Sequence, residues 1–520
     1  MKALICAAAI SSIAGVAHAD ELSDLKTQSQ QLQQQNQMLL SRITQLEQRQ
    51  QKIEAQQAQP VPVMTEPTGP KLPADDGTLT WHGVTLYGTI DIGAQYESHG
   101  ASLNNSYPPG LDDLIIGFKN AKGSYLGAAP NNMSTSSIGL KGKEDLGIGD
   151  WSAIFKLETG FNPLSGEIAD GLRSEVEANG VPIQNQRTAW GDSTRAGQMF
   201  EGGAYAGISH PVYGTLTAGR QNTFTWDTAL HYDPAYASNL SLLGYSGAPA
   251  GAGDTEDRLL DNTLKYTVGV GPVHGGVMYG FSESNGAGRA WQGNLGATYA
   301  GFSIDGVYSH ITDAISAGPL TTNATGALSS AQVAAMTLGG FSENNTLAAT
   351  VSDNTAWEVA VEYDMGAPKL FAGYERISYA NPSNPLSDKG FVDGLGVDDT
   401  IGGYNIITNN LAFPKDKILE IYWVGGRYAF TPDWEVALGL YREEQNNYST
   451  SKALAGCSDR DLSAQCSGAF NSVNLTTDYK LTKRLDLYAA IVWSDVEGGI
   501  GNGYLSTNEW SPTLGARFRF

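Results

Sequence analysis

Past its first nineteen residues the chain has no run of about 18 apolar residues, so no helix of it can cross a bilayer. Basic residues are scarce: 32 Lys and Arg stand against 54 Asp and Glu, a formal charge of −22. That deficit argues against a nucleic-acid partner, which needs a basic patch. There is no G-x-S-x-G elbow and no H-E-x-x-H pair, which removes two common routes to hydrolysis. His82, His99, His210, His231, His274 and His310 stand singly, so neither a metal nor a cofactor is expected. Cysteine is nearly absent, with three in 520 residues.

What is present begins with Lys2, a short apolar stretch from Ala3 to Val16, and Ala17-His18-Ala19. This reads as a secretory signal over residues 1–19, cut before Asp20. Cys6 leaves with it, and losing Lys2 takes the charge from −22 to −23. Cys457 and Cys466 remain, in a Ser/Ala/Asp-rich stretch without a neighbouring histidine. In an exported chain they are expected to form a local disulfide.

Residues 20–57 are rich in glutamine and almost free of glycine and proline. Leu25, Leu32, Leu39, Leu46 and Ile53 recur every seven residues, each preceded three positions earlier by Leu22, Ser29, Asn36, Ile43 and Gln50. The seam predicts a coiled coil roughly 55 Å long; a lone amphipathic helix packed on the following domain is the alternative. Residues 58–80 carry Pro60, Pro62, Pro67, Pro70 and Pro73, a semi-rigid spacer.

From residue 81 onward another pattern takes over. In Val84 to Glu97 the even positions are Val, Leu, Gly, Ile, Ile, Ala and Tyr, and the odd ones Thr, Tyr, Thr, Asp, Gly, Gln and Glu. A strand with this alternation has one apolar and one polar face, and its length suits a tilted bilayer crossing. The alternation returns at Trp357–Asp364, Trp434–Tyr441, Leu485–Ser494 and Leu514–Phe520. Short turns, such as Ala300-Gly301 and Thr431–Asp433, alternate with long polar stretches, such as Gly100–Asn132, Asn222–Asp257, Thr312–Thr355 and Asn381–Lys415. Placing strands between them yields an all-β, sixteen-stranded antiparallel transmembrane barrel over residues 81–520, closed because hydrocarbon cannot satisfy an open sheet edge. An even count puts both ends on the short-turn side and the coiled coil in the periplasm.

Val84–Gly93 (VTLYGTIDIG), Ser137–Gly147 (SIGLKGKEDLG), Ala153–Asn162 (AIFKLETGFN), Ala204–Ile208 (AYAGI), Gly214–Gln221 (GTLTAGRQ), Arg258–Tyr266 (RLLDNTLKY) and the terminal Arg517–Phe520 (RFRF) come in the order seen in the general bacterial porins, and residues 81–520 resemble that family. The resemblance implies a homotrimer in outer-membrane lipid and a water-filled diffusion channel. It implies a third loop, Gln221 to Asp257, folded into the lumen, with Asp227, Asp233, Asp254, Glu256 and Asp257 facing a basic wall of Arg220, Arg258 and Lys141. The last residue, Phe520, with Phe518 on its face, resembles the family's signal to the barrel assembly machinery. Two departures thin the wall: Ser137 and Gly202 stand where the family commonly has arginine, and Glu201 adds a carboxylate. Weak selectivity, leaning to cations or neutral solutes, is expected from this.

Lys156, Glu158, Glu358, Glu362 and Asp364 then read as lumen lining rather than as an acid/base pair. Two additions to the pore reading stand open. Trp226 and Tyr232 could form a platform for a sugar or aromatic solute in a substrate-specific channel, or simply pack the loop against the wall. The coiled coil could grip peptidoglycan or a periplasmic partner, or lock the trimer.

Overall fold

The computed structural model describes residues 79–100, 122–164, 166, 168, 199–245, 258–281, 288–319, 346–383, 395–401, 404–409, 413, 415–448, 466–501 and 504–520. The signal, the coiled coil and all but the end of the spacer lie outside them. The chain divides into two compact units, Met1–Asp75 and Asp76–Phe520; the second is described below.

Its strands in order are β1 (Leu79–Trp81), β2 (Val84–Glu97), β3 (Tyr125–Pro130), β4 (Ser137–Asp145), β5 (Ser152–Gly160), β6 (Gly203–His210) and β7 (Gly214–Asn222). The helix α1 (Phe224–Tyr232) follows. Then come β8 (Leu259–Val270), β9 (Val273–Gly280), β10 (Arg289–Tyr299), β11 (Phe302–Pro319), β12 (Thr346–Asp364), β13 (Pro368–Ala380), β14 (Leu395–Ile401) and β15 (Tyr404–Asn409). The chain closes with β16 (Lys417–Thr431), β17 (Trp434–Gln445), β18 (Gly468–Lys480), β19 (Leu485–Gly498) and β20 (Asn508–Arg519).

All twenty belong to one sheet. β3 and β4 are two halves of one crossing, both antiparallel to β2. β1 extends the line of β20 along the same edge of β2. β14 and β15 form a hairpin outside the wall. Sixteen crossings remain, and the barrel closes where β2 meets β20, with Asp91 opposite Arg517.

The two faces separate as the alternation requires. On β2, Ile92 and Tyr96 are exposed outward while Asp91, Gln95 and Glu97 are buried inside. Trp357, Val359 and Tyr363 of β12 face outward, and Glu358 and Glu362 inward. An apolar exterior over a polar interior inverts a soluble protein and is what hydrocarbon demands. Two aromatic rows border the belt over β10–β17: Trp291, Tyr308, Trp357, Tyr374 and Tyr422 toward the long loops, and Tyr363, Tyr428, Phe430 and Trp434 toward the short turns. Such rings sit at the headgroup level.

The short turns have local causes. His82 and Gly83 link β1 to β2 with φ of 45° and 76°, and Ala300 and Gly301 link β10 to β11 with 51° and 82°. Two left-handed central residues make the turn whose twist matches that of the flanking strands. Two long connections differ from the sequence reading. β11 and β12 stay paired through Pro319↔Leu347, so both ends of the stretch read as a loop from Thr312 to Thr355 are sheet, up to Pro319 and from Thr346 onward. Within Asn381–Lys415, β15 adds in parallel to the outer end of β12. Thr312, Asp313, Ser352, Asp353 and Asn354 interrupt the apolar alternation of β11 and β12 there, and a bulge between Ile311 and Ala314 shifts its phase, so that pairing left no clear period of two to read.

Candidate pore constriction

The segment after β7 enters the lumen. Thr223 caps α1, its hydroxyl accepting from the Trp226 N–H at 3.2 Å. The helix lies along the inner wall. Phe224 N–H donates to Gln292 Oε1 on β10 at 2.8 Å, and the Tyr232 hydroxyl donates to Asp305 Oδ2 on β11 at 2.5 Å and contacts Ser303 Oγ at 2.7 Å. Phe224, Thr225, Thr228, Ala229 and Tyr232 are buried against that wall. Trp226 and Asp227 are half-buried, and Leu230 and His231 are exposed.

Beyond the helix the loop follows the wall. Trp423 Nε1 of β16 donates to Tyr232 O at 3.2 Å, Arg427 Nε donates to Pro234 O at 2.8 Å, and a second Arg427 nitrogen donates to Asp233 O. The Tyr441 hydroxyl of β17 donates to Asp233 Oδ1 at 2.5 Å, and Asn474 Nδ2 of β18 donates to Leu240 O at 2.7 Å. Asn239 reaches the Asn131 carbonyl, between β3 and β4. Leu240, Leu242 and Leu243 then pack on inward apolar residues of β13 and β16–β19, including Tyr379, Phe470, Val492 and Val496. At the level of the loop this half of the lumen is a core, and nearer the short turns a cavity lies between Tyr236 and Glu435, Asp478, Arg517 and Arg519. On the inner faces of β2 and β4–β6 the side chains of Tyr87, Lys141, Lys156, Glu158 and Tyr205 stay partly or fully exposed.

The charged residues named from the sequence are placed unevenly. Lys141 of β4 is exposed on the inner wall, its Nζ 5.0 Å from the Tyr87 ring centroid, and among the described residues it has no ion pair. Lys156 and Glu158 of β5 pair with each other at 3.1 Å. Arg258 lies over the Trp226 ring at 4.7 Å. Asp227 is half-buried and is held by Lys265 Nζ at 2.5 Å and Asn222 Nδ2 at 2.9 Å. Glu362 is salt-bridged to Lys369 at 3.2 Å, and Glu358 is almost fully buried.

Others sit away from the water path. Arg220 is buried at a bulge, Nε donating to Glu201 O at 2.6 Å and a terminal nitrogen to Asp261 Oδ1 at 2.7 Å. Asp233 is 0 % exposed and ties the loop to its wall. Burial pushes its carboxyl above the usual range, against the opposing pull of Tyr441, Ser241 and the Ala235 and Ala237 N–H groups. Burial also raises Glu201, which accepts from Gly160 N–H at 2.5 Å. Tyr232 is spent on Asp305 and Ser303 and 1 % exposed, and the half-buried Trp226 packs against the same buried cluster. Asp254, Glu256 and Asp257 lie outside the described residues, as does Cys457. Cys466 is buried and disulfide-bonded. Phe518 is exposed outward, and Phe520 pairs with Gly88 through both backbone groups, at 3.0 and 3.1 Å.

Lys265 and Arg427 are structural charges that sequence reasoning missed, and Asp91 has a structural role beyond the polar face on which the sequence put it. Strand parity could have supplied Lys265, since it alternates with Leu264 and Tyr266 inside a quoted motif. The role of Asp91 is tertiary. Its Oδ2 accepts from the Met133 and Ser134 N–H groups at 2.9 and 2.8 Å, and its Oδ1 from the Tyr488 hydroxyl at 2.6 Å. It pins the inward break between β3 and β4 on which the loop's far end rests.

The sequence model of the Gram-negative porins matches residues 3–399. The chain belongs to that family. It forms an outer-membrane channel of transmembrane strands. No curated protein sequence matches this porin. Among solved structures it is similar to OmpT of Vibrio cholerae, with 14% identity over 85% of this chain and 99% of that one and a TM-score of 0.48. It is also similar to the outer-membrane channel DcaP of Acinetobacter baumannii, with 13% identity, 84% and 97% coverage and a TM-score of 0.45. A Salmonella typhi OmpF structure with daunomycin gives 13%, 85% and 100%, and 0.44.

Proposed function

We propose that this porin passes small hydrophilic solutes and ions by passive diffusion, with weak charge selectivity. The observation that carries the proposal is the pairing of partly exposed charges on the inner wall and α1, Lys156 with Glu158 and Asp227 with Lys265, at 3.1 and 2.5 Å. Paired charges keep water in the pore while adding little net potential, and the wall arginines expected at positions 137 and 202 are absent. No cofactor, metal or catalytic group enters this function.

A homotrimer fits the outer surface. Between the aromatic rows elsewhere, β4, β6 and β7 present Ile138, Leu140, Ala204, Ala206, Ile208, Leu216 and Ala218. Small aliphatic side chains allow close approach by a second copy.

Swelling of proteoliposomes in graded sugars and charged solutes, with reversal potentials recorded in a salt gradient, tests the reading. Rates should fall smoothly with solute size, and the reversal potential should stay small. Strong anion preference, or no swelling in any solute, would overturn it.

A further inference from the structure

On the short-turn side of the inward loop, a cavity of about 300 Å³ lies against the inner ends of β16, β17, β18 and β20. That volume suits a small ligand. Thr431, Pro432 and Asp433 line it and lie at the turn between β16 and β17, so it opens at the short-turn rim. Tyr236 lines it from the inward loop, with a left-handed backbone at φ 61°. Arg427 stacks on the Tyr236 ring at 3.3 Å, and the Tyr236 hydroxyl donates to Glu435. The residue nevertheless stays 41 % exposed.

Six charged side chains line this cavity, Asp433, Glu435 and Asp478 against Lys480, Arg517 and Arg519. The lining therefore carries both signs and no net charge. Arg517 is spent within the wall: it is 9 % exposed, and its nitrogens donate to Asp486, Ser134 and Asp478, each at 2.8 Å. The others keep capacity. Among the described residues, Arg519 pairs only with Asp486, at 3.1 Å, and is 42 % exposed. The Lys480 Nζ reaches only the Pro432 carbonyl, at 3.5 Å. Tyr236 occupies one oxygen of Glu435 and leaves the other. Asp433 uses its N–H on Thr431 Oγ1 and its carbonyl on the Lys480 N–H, and among the described residues its carboxylate has no partner.

A neutral solute would leave these charges unused, and an ion of one sign would meet its own sign as well. A zwitterion satisfies both. β17 and β20 stand three strand spacings apart, about 14 Å between backbones, a gap that the inward side chains partly fill. A free amino acid carries both charges on one carbon and cannot reach both ends. Two or three residues, at about 3.5 Å each, can. We propose that this cavity binds short zwitterionic peptides of two or three residues, entering from the short-turn side. The ammonium sits on Asp433 and Glu435, the carboxylate on Arg519 and Lys480, as charge-assisted hydrogen bonds. The main chain runs along Tyr236. The site lies apart from the constriction and does not depend on how selective diffusion through it is.

Calorimetric titration of the full-length protein in detergent tests this, with trialanine as the probe. N-acetyl-trialanine lacks the ammonium and trialanine amide the carboxylate; alanine, putrescine and succinate complete the set. Trialanine should bind saturably, and each capped form about tenfold more weakly. Asp433→Asn combined with Glu435→Gln should remove most of the cost of acetylation and leave that of amidation. Lys480→Gln should shrink the cost of amidation and leave that of acetylation. These are ratios, so partial unfolding, which lowers every affinity alike, does not mimic them. Equal affinity for free and capped peptides overturns the site, as does tighter binding of alanine, putrescine or succinate. So do ratios unchanged in both variants, or no saturable heat with trialanine.

Discussion

Gly202 shows how much one side chain decides in a pore wall. A Cβ there would sit 2.9 Å from Glu158 Oε1, so an arginine side chain at 202 would start beside that carboxylate. Its backbone φ is not in the left-handed region, and the substitution is free of that strain. Gly202→Arg should pair with Glu158, release Lys156, and move the reversal potential toward anion preference. A potential indistinguishable from wild type in a tenfold salt gradient would show that Glu158 is not in the conducting path. Asp227→Asn should act in the same direction by leaving the Lys265 ammonium uncompensated. The cation-to-anion permeability ratio of that variant, measured beside wild type, checks this. The departure at 202 was legible in the sequence because the surrounding F-E-G-G-A-Y could be aligned to a pattern. Which carboxylate it exposed was not, since Glu158 reaches it across a strand pair.

At the scale of elements, the inward loop is held by groups that strand alternation marks only as polar. Arg427 is one inward residue among many on β16. Yet it donates to two loop carbonyls and stacks on Tyr236 and Phe371, at 3.3 and 4.6 Å from the ring centroids. Arg427→Ala takes the donor from the Pro234 carbonyl, a cost of about 1–3 kcal/mol, while the Asp233 carbonyl keeps the Tyr236 N–H at 3.1 Å. The loop should loosen, giving noisier single-channel current and a lower melting temperature; quiet recordings with unchanged conductance would refute the anchor. Asp233 adds a pH dependence. Its carboxyl is raised by burial in the folded state, so the folded state binds its proton more tightly than the unfolded chain does. Stability from this group is therefore lost as pH rises from the ordinary carboxylate range through the raised value, and regained on acidification. The wild-type melting temperature, less that of Asp233→Asn, should fall across that window. The strands, turns and inward loop were legible because hydrocarbon imposes a strict period of two. The anchors were not, because they join residues some 200 positions apart, such as Asp233 to Tyr441.

For the whole molecule, the stretch from Val84 to Glu97 joins the two parts of the chain, and the structure moves the boundary between them. Leu79–Trp81 pair with Val84–Leu86 and continue the edge that β20 begins. The spacer read from its prolines as ending at residue 80 therefore stops just short of Leu79, and barrel closure includes the three residues after it. A deletion through Thr80 would strip most of β1 and expose the edge of β2, confounding any test of the arm. Removing residues 20–75 spares β1. The barrel of this variant should conduct as wild type does, because the described constriction uses no residue before Tyr87. The heptads then have two possible duties with opposite signatures. If the arm locks the trimer, three helices on a common axis bind at high effective concentration, and the deletion should lower the trimer's melting temperature in detergent. If it grips peptidoglycan or a periplasmic partner, trimer melting should stay unchanged while co-sedimentation with cell-wall sacculi is lost. A shorter deletion of residues 58–75 separates them further. It keeps the heptads but draws them toward the barrel, so a tether should lose reach while a trimer lock keeps its effect.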